Sequence, residues 1–343
     1  MKPMTRFHRL CVAAAAALVA SGCAGGSDGH GSTGGATPTP STTSTPSLDP
    51  LAAVSRPIDD LGKRHQATIP VEGAPDWPLV AFGSVWVSNS GTNQVQRFDP
   101  RTNAVVGSLT ISQPCNGLAA GAGAVWTGSC AAGGYVVRID PAGPTIVASR
   151  QVPLASDGEG QVTYGFGSVW VATGDGRLIR FDPGLTRQQA SIAIPVGASA
   201  ALADQHAVWV TSPAEGRLLR VDPVRNTVAA TYATGGHPQF LTSGFGSVWT
   251  LNQTDGTVTR VDEATGSTTT VNAESPGEGG CITSGLDAVW LTIYTKPLTR
   301  VDPTTGQVTE QLTGDGGDCV VTGFGSVWVT NNRIASMYRI APV

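Results

Sequence analysis

One heptapeptide pattern recurs along the chain at intervals of about forty residues. GFGSVWV stands at 165–171, and close copies stand at 244–250 and 323–329. A packing solution is repeated in every structural unit that uses it, whereas a catalytic motif is needed once. The repeat therefore predicts an array of equivalent units, each marked by one tryptophan: Trp86, Trp126, Trp170, Trp209, Trp249, Trp290 and Trp328.

Each unit has the composition of a small antiparallel sheet. Short runs rich in Val, Thr, Trp and Ile are bounded by Gly, Asp or Pro, which is typical of four strands and their turns. No helical periodicity follows residue 66. Four strands every forty residues predict an all-β fold, a seven-bladed β-propeller over residues 67–343.

The two ends of the repeat region predict how the ring closes. The last unit stops one strand short, at MYRIAPV, and an orphan strand, ATIPV at 67–71, precedes the first unit. We expect the strand at 67–71 to complete the seventh blade, because this pairing removes an open sheet edge.

Three repeated features have structural interpretations. The tryptophans are expected to fill the space between blades, and Gly-x-Gly is expected to make the turn between the first two strands. In six units an arginine precedes an aspartate by two residues, as with Arg97 and Asp99. Because such residues share a strand face, we expect each arginine to pair with its aspartate.

The N-terminus predicts an exported, lipid-anchored protein. Lys2, Arg6 and Arg9 precede an apolar run that is too short to span a bilayer. LVASGC resembles the bacterial lipoprotein box, which implies cleavage of residues 1–22 and a lipid such as palmitate on Cys23. The alternative is ordinary secretory cleavage near Ala24. A Gly/Ser/Thr/Pro-rich flexible tether is predicted for residues 23–66, and the predicted location is the extracytoplasmic face of the bacterial cell envelope.

Charge and cysteine content narrow the possible partners. Without residues 1–22 the chain has 18 Lys and Arg against 25 Asp and Glu and no basic run, so nucleic acid is excluded as a partner. The membrane would be contacted through the lipid. Of the cysteines, four remain in the repeat region, and we expect two disulfides, Cys115 with Cys130 and Cys281 with Cys319. Free thiols are the alternative, because adjacent inner strands can be too far apart for the second bond.

The units resemble the YVTN-repeat and streptogramin-lyase (virginiamycin B lyase) propellers. The resemblance covers residues 67–343 and is carried by segments such as WVTN at Trp328–Asn331. It implies the fold and, as an alternative function, a Mg-dependent lyase with a histidine base. His237, in TGGHPQF, is the only candidate for a catalytic residue. The lyase match is poor, because three residues after each tryptophan this chain has Asn, Ser, Thr or Ile where those enzymes often have Glu.

A binding site is predicted where the innermost strands begin, nine or ten residues before each tryptophan, and in the loops that lead there. Carboxylate and amide oxygens around an axis suit Ca²⁺ or Mg²⁺, and Trp77 or Phe240 could stack on a cationic or sugar-like ligand. The candidate metal ligands are Asp76, Glu159 and Asp318, and a solvated acidic rim is the alternative. The candidate ligand-binding residues are Asp76, Trp77, Asn116, Glu159, Gln239, Phe240 and Asp318.

Three functions remain open from the sequence. The leading hypothesis is a module that binds a small ligand or an extracytoplasmic protein through this face, extended by loop residues such as Asn89, Tyr294, Asn331 and Arg333. The second is a metal-dependent lyase or hydrolase that works in the same mouth. The third is a purely structural envelope protein.

Overall fold

A computed structural model describes residues 54–115, 117–155 and 159–343. The predicted signal peptide, Cys23, most of the tether and Asn116 lie outside the described residues. Among those described, no helix is both long and apolar enough to cross a bilayer.

The described chain forms twenty-nine strands in seven sheets that surround a central channel. The two strands before the first blade are β1 (Ser55–Pro57) and β2 (His65–Pro70). Blades 1 to 3 comprise β3 (Pro75–Ala81), β4 (Ser84–Asn89), β5 (Gln94–Phe98), β6 (Val105–Thr110); β7 (Ala119–Gly121), β8 (Ala124–Ser129), β9 (Tyr135–Asp140), β10 (Thr145–Gln151); and β11 (Val162–Gly165), β12 (Ser168–Thr173), β13 (Arg177–Phe181), β14 (Gln188–Ala193).

The remaining blades follow the same order of inner to outer strands, and two 3₁₀ helices, Ile58–Arg64 and Pro213–Glu215, lie between strands. Blades 4 to 7 comprise β15 (Ala201–Ala203), β16 (Val208–Ser212), β17 (Arg217–Asp222), β18 (Thr227–Ala233); β19 (Pro238–Gly244), β20 (Ser247–Asn252), β21 (Thr257–Asp262), β22 (Thr268–Asn272); β23 (Ile282–Gly285), β24 (Ala288–Ile293), β25 (Lys296–Val301), β26 (Val308–Thr313); and β27 (Val320–Gly323), β28 (Ser326–Asn331), β29 (Ser336–Ile340).

The first strand of each blade contacts the first strands of its two neighbours, so these seven strands line the channel. The ring closes as predicted: β2 pairs antiparallel with β29, with Thr68 opposite Tyr338, and supplies the missing outer strand of blade 7. This strand begins at His65 rather than at residue 67. The predicted seven-bladed, all-β fold is confirmed.

Residues 54–66 form an ordered strap rather than part of a flexible tether. Strand β1 pairs parallel with β26 on the outer edge of blade 6, and the following 3₁₀ helix buries Ile58 and Leu61. Glu310, which is 6% exposed, accepts hydrogen bonds from Arg56 at 2.5 Å and from Arg64. Three large apolar residues, Val54, Ile58 and Leu61, in a polar stretch are too few for composition to reveal this segment.

The repeated tryptophans fill the space between blades, as predicted, and each is at most 1% exposed. In six blades the indole N–H donates to the backbone carbonyl five residues earlier, over 2.9–3.2 Å. The first glycine of GFG leaves room for the adjacent blade, since a Cβ on Gly323 would lie 2.7 Å from Val80. The second, such as Gly325 with φ +69°, adopts the left-handed conformation that the turn requires.

The predicted pairing of each strand arginine with the aspartate two residues later is wrong. The seven guanidinium groups lie over the tryptophan rings of their own blades, at 4.8–5.9 Å from the ring centroid. Arg97, for example, donates through Nε to Ser84 Oγ at 2.7 Å and through Nη1 to the Pro141 carbonyl of the next blade at 2.9 Å. The tryptophan face and a neighbouring carbonyl thus take the place of Asp99, which accepts instead from its own turn.

The residue two positions before the repeated tryptophan, serine or alanine, decides whether the arginine Nε has a hydrogen-bond partner. Blades 1, 3, 5 and 7 place a serine hydroxyl 2.7–3.0 Å from the arginine Nε. Blades 2, 4 and 6 have alanine there, and the buried Nε atoms of Arg138, Arg220 and Arg300 have no hydrogen-bond partner. An unpaired buried donor is destabilising.

Replacing Ala207 in blade 4 by serine is therefore expected to raise the free energy of unfolding by about 1 kcal/mol, because the hydroxyl accepts from Arg220. The matched change in blade 5, Ser247→Ala, is expected to lower it by about 1–2 kcal/mol. Both positions are fully buried. Urea unfolding followed by tryptophan fluorescence measures both changes, and a destabilising Ala207→Ser would contradict this role of the serine hydroxyl.

Candidate functional site: an acidic channel mouth

The seven inner strands all begin at the same end of the ring, which is called here the mouth face and is marked by Asp76 and Asp318. The loops between the second and third strands, and between successive blades, lie at this end as well. The opposite end carries the turns between first and second strands and between third and fourth strands, and is called the turn face.

Three carboxyl groups, Asp76, Glu159 and Asp318, interact electrostatically at the mouth face and are called here the acidic trio. Burial raises the pKa of Asp318 to about 6. Burial, together with the negative charge of Asp318, raises the pKa of Glu159 to about 7. The pKa of Asp76 is raised well above its usual range by burial and by the two other carboxylates. The fold thus holds three groups that disfavour one another's ionisation.

Polar neighbours fix the positions of two members of the trio. Asp318 accepts hydrogen bonds from the backbone N–H of Asn332 at 2.5 Å and from its side-chain amide at 2.7 Å. The Tyr294 hydroxyl also hydrogen-bonds to Asp318, and the Trp77 side chain hydrogen-bonds to Glu159. These contacts preorganise the carboxylates, because their geometry does not depend on a ligand.

Trp77 forms an aromatic floor beneath the trio. Its ring meets Phe240 of blade 5 edge to face, with centroids 5.4 Å apart. The segments just before the inner strands of blades 2 and 3 give it room through glycine: a Cβ on Gly117 or Gly160 would lie 3.1 or 3.3 Å from the indole. A side chain of blade 1 therefore lies across the channel, and a cavity of about 280 Å³ continues beyond it along apolar residues that include Leu118 and Leu202.

One cation lies beside the trio. The guanidinium of Arg333 stacks on the Tyr294 ring at 4.8 Å and lies 3.7 Å from the exposed Asp315 carboxylate. The positive charge of Arg333 lowers the pKa of Asp318, but this effect is smaller than the increase caused by burial. Burial and the three carboxylates raise the pKa of Tyr294 to about 12. Arg333 therefore does not offset the effect of burial, and the pKa values of the trio stay above those of exposed carboxyl groups.

The structure does not bring every predicted residue to the site. Gln239 is half-buried, and its backbone carbonyl accepts from Thr211 Oγ1 at 3.2 Å. Asn89 and Asn331 were expected to extend the binding face, but both are fully buried. Asn89, for example, accepts from the backbone N–H of Ala74 at 2.9 Å and donates to the Glu72 carbonyl, so it holds a loop. Sequence analysis missed Asn332, which occupies in blade 7 the position of Tyr294 in blade 6, because the residue type at this loop position varies from blade to blade.

His237 is exposed and adopts φ 59° in the loop before β19. No carboxylate in the described part of the chain forms an ion pair with its ring. Nor do any three His, Cys, Asp or Glu side chains among the described residues form a group that could hold a metal ion. The metal and lyase assignments therefore stay predictions.

The two predicted disulfides are confirmed. Cys115 and Cys130 join the two ends of the first hairpin of blade 2, with Cα atoms 5.6 Å apart. Cys281 and Cys319 join the inner strands of blades 6 and 7 beside Asp318, with Cα atoms 4.9 Å apart. The inner strands are thus close enough at this level for a bond between blades.

Fold and site together define a seven-bladed β-propeller with an acidic, aromatic-floored mouth. The structure is similar to that of BamB from Moraxella catarrhalis, with a TM-score of 0.57 and 12% sequence identity over 76% of this chain and 82% of that one. At this identity the similarity shows the fold alone. No protein-family model and no curated protein matches the sequence.

Proposed function

We propose that this protein is an extracytoplasmic binding module that takes a cationic group into the channel mouth. The group would be a positively charged part of a small ligand or of a partner protein. The observation that carries the proposal is the acidic trio, held by fixed hydrogen-bond donors above the Trp77 ring.

The carboxyl groups of the trio and the aromatic ring of Trp77 each attract a cationic group, in different ways. Three carboxyl groups whose pKa values are raised by burial and by one another gain the most when a positive charge arrives, because it favours all three ionised forms at once. The aromatic ring of Trp77 adds a surface that attracts organic cations. A quaternary ammonium or a guanidinium group uses both features, whereas a hydrated metal ion uses only the oxygen atoms.

The proposed location rests on the disulfides and the N-terminal sequence. Two disulfides support an oxidising compartment. The signal-like N-terminus and LVASGC motif support a lipid anchor on Cys23 at the outer surface of a bacterial membrane. Incorporation of labelled fatty acid into the protein, and its loss in the Cys23→Ala variant, checks the anchor, and equal labelling of the two forms would contradict it.

Calorimetric titration with tetramethylammonium, agmatine, Ca²⁺ and Mg²⁺ tests the proposed site. We expect at least one organic cation to bind at pH 8, and Asp318→Asn to weaken it by about tenfold through the loss of one charge interaction worth roughly 1.4 kcal/mol. Binding should weaken below pH 6, where the trio is protonated.

The matched control is Glu278→Gln, which removes an exposed carboxylate from a loop of the same face. We expect it to change the affinity less than twofold, since exposed charges are screened. Absence of binding for all four probes, or equal weakening by the two variants, would contradict the cation-binding mouth.

A further inference from the structure

Four phenylalanines stand at the same position of blades 1, 3, 5 and 7 on the turn face, and blades 7 and 1 are neighbours in the ring. Each lies four residues before the repeated tryptophan, in the tight turn between the first and second strands, and is followed by glycine. Their side chains are 37–45% exposed. They are called here the phenylalanine crown and are Phe82, Phe166, Phe245 and Phe324.

The crown residues occupy a backbone conformation that does not favour them. Their φ angles are 50–58°, and the following glycines have φ of 66–70°. A turn with positive φ at both central residues prefers Asn-Gly, and a bulky residue there is strained. Four aromatic rings that are each more than a third exposed, at turn positions that disfavour them, point to a role at the surface.

The four phenylalanines of the crown lie at about the same height along the channel axis, because they occupy equivalent positions in their blades. Equivalent positions in blades that are related by rotation about the channel axis lie in one plane perpendicular to that axis. The rings therefore present a level set of apolar groups, not a groove. Two clefts of about 550 and 410 Å³ border Phe245 and Phe324, so these two rings stand at the edges of recesses.

Other exposed apolar side chains lie at the same end of the blades. They lie in or directly after turns between third and fourth strands: Val105, Val106, Ile146, Val147, Val224 and Val228. By contrast, among the exposed large apolar side chains of the described residues, those in loops of the mouth face are Val196 and Ile334. Apolar exposure is thus concentrated on the turn face.

The mouth face and the turn face also differ in charge. The turn aspartates are held by backbone N–H groups of their own turns, as when Asp222 accepts from Arg225 at 2.9 Å, and its carboxylate also pairs with the Arg225 guanidinium at 2.8 Å. Six of the seven blades also place a strand arginine beside the turn. The turn face is therefore close to neutral, whereas the mouth face carries the acidic trio and would be repelled by anionic lipid.

We infer that the turn face lies against a lipid bilayer, with the phenylalanine crown inserted into the interfacial region. A flat, neutral, aromatic surface matches a bilayer better than a groove-binding partner. Strand β1 runs from the turn face toward the mouth face, so Ser55 is its end nearest the turn face. An anchor upstream of Ser55 would keep this face toward the membrane and leave the mouth open to the periplasm or medium. The inference concerns a second surface and goes beyond the proposed function.

Flotation with vesicles of phosphatidylethanolamine and phosphatidylglycerol tests the inference. The protein is the predicted mature chain, residues 23–343, with Cys23→Ala, so that neither the signal peptide nor a lipid anchor contributes. We expect it to float with the vesicles, and a variant with all four crown phenylalanines changed to asparagine to partition at least about tenfold less. Asparagine before glycine suits this turn, so the variant should unfold at a temperature no lower than that of the parent.

The control is Val196→Asn with Ile334→Asn, which removes exposed apolar groups from the mouth face. We expect it to float like the parent. A parent that stays with the soluble fraction, a crown variant that still floats, or a control that loses binding equally would each overturn the inference. Because neither a cation nor the Cys23 lipid is involved, failure here leaves the proposed function of the mouth untouched.

Discussion

Replacing Cys281 and Cys319 by serine is expected to lower the free energy of unfolding by about 4 kcal/mol. The bond closes a loop of 38 residues, and the loss of this restraint increases the entropy of the unfolded chain by an amount of that order. Both cysteines are at most 2% exposed, so the serine hydroxyls add a cost of burial. Chemical denaturation of the oxidised protein and of the double variant measures the difference.

The Cys115 and Cys130 pair provides the comparison for this prediction. It closes only 15 residues within blade 2, and its loss is expected to cost about 3 kcal/mol. The variant lacking the bond between blades 6 and 7 should also bind cations more weakly, because residue 319 directly follows Asp318. A loss of stability below about 1 kcal/mol for the double serine variant would show that the inter-blade bond contributes little.

Raising the pH from 4.5 to 8 is expected to destabilise the protein through the acidic trio. The pKa of Glu159 is about 7 in the folded state and lies near 4.5 when the chain is unfolded, so the folded state binds more protons between these values. Its contribution to stability is therefore fully present below pH 4.5 and is lost as the pH rises through 7. We expect a change of about 2 kcal/mol from this group, after allowance for its partial contact with solvent.

Glu159→Gln removes the titrating group and tests the assignment. Thermal unfolding from pH 4.5 to 8 should show a flatter dependence for this variant and a higher stability than the parent at pH 8. The exposed Glu215, in the 3₁₀ helix at the mouth face, serves as the control, and Glu215→Gln should follow the parent curve. A parent protein whose stability rises with pH over this range would contradict the buried trio.

The fold could be predicted almost completely, because every blade repeats the same pattern of strands, turns and a buried tryptophan. Seven tryptophans gave the number of blades, and the missing strand after Ile340 predicted the closure by β2. The partners of the strand arginines could not be predicted. Spacing shows which residues share a strand face, but Arg97 reaches over Trp86 to the next blade, and this depends on the packing of two sheets.

The site could be predicted only as a set of positions. Alignment to the tryptophans placed Asp76 and Asp318 at the mouth, and the loop residue Glu159 joins them in the structure. The contact of Trp77 with Phe240 could not be foreseen, since it joins blades 1 and 5 and depends on the small size of Gly117 and Gly160. Distances across a channel leave no periodic signal in a sequence.

The ring cannot close until β29, the partner of β2, has been synthesised. Strand β2 is synthesised before the strands of blades 1 to 6, but its partner β29 follows them, and the paired residues Thr68 and Tyr338 are 270 positions apart (338 − 68). At about 5–20 residues per second, tens of seconds separate the two. Over that interval the earlier blades can form one after another, while β2 must remain unpaired. We therefore expect a protein of this design to need a chaperone or a fast export route until its final strand emerges.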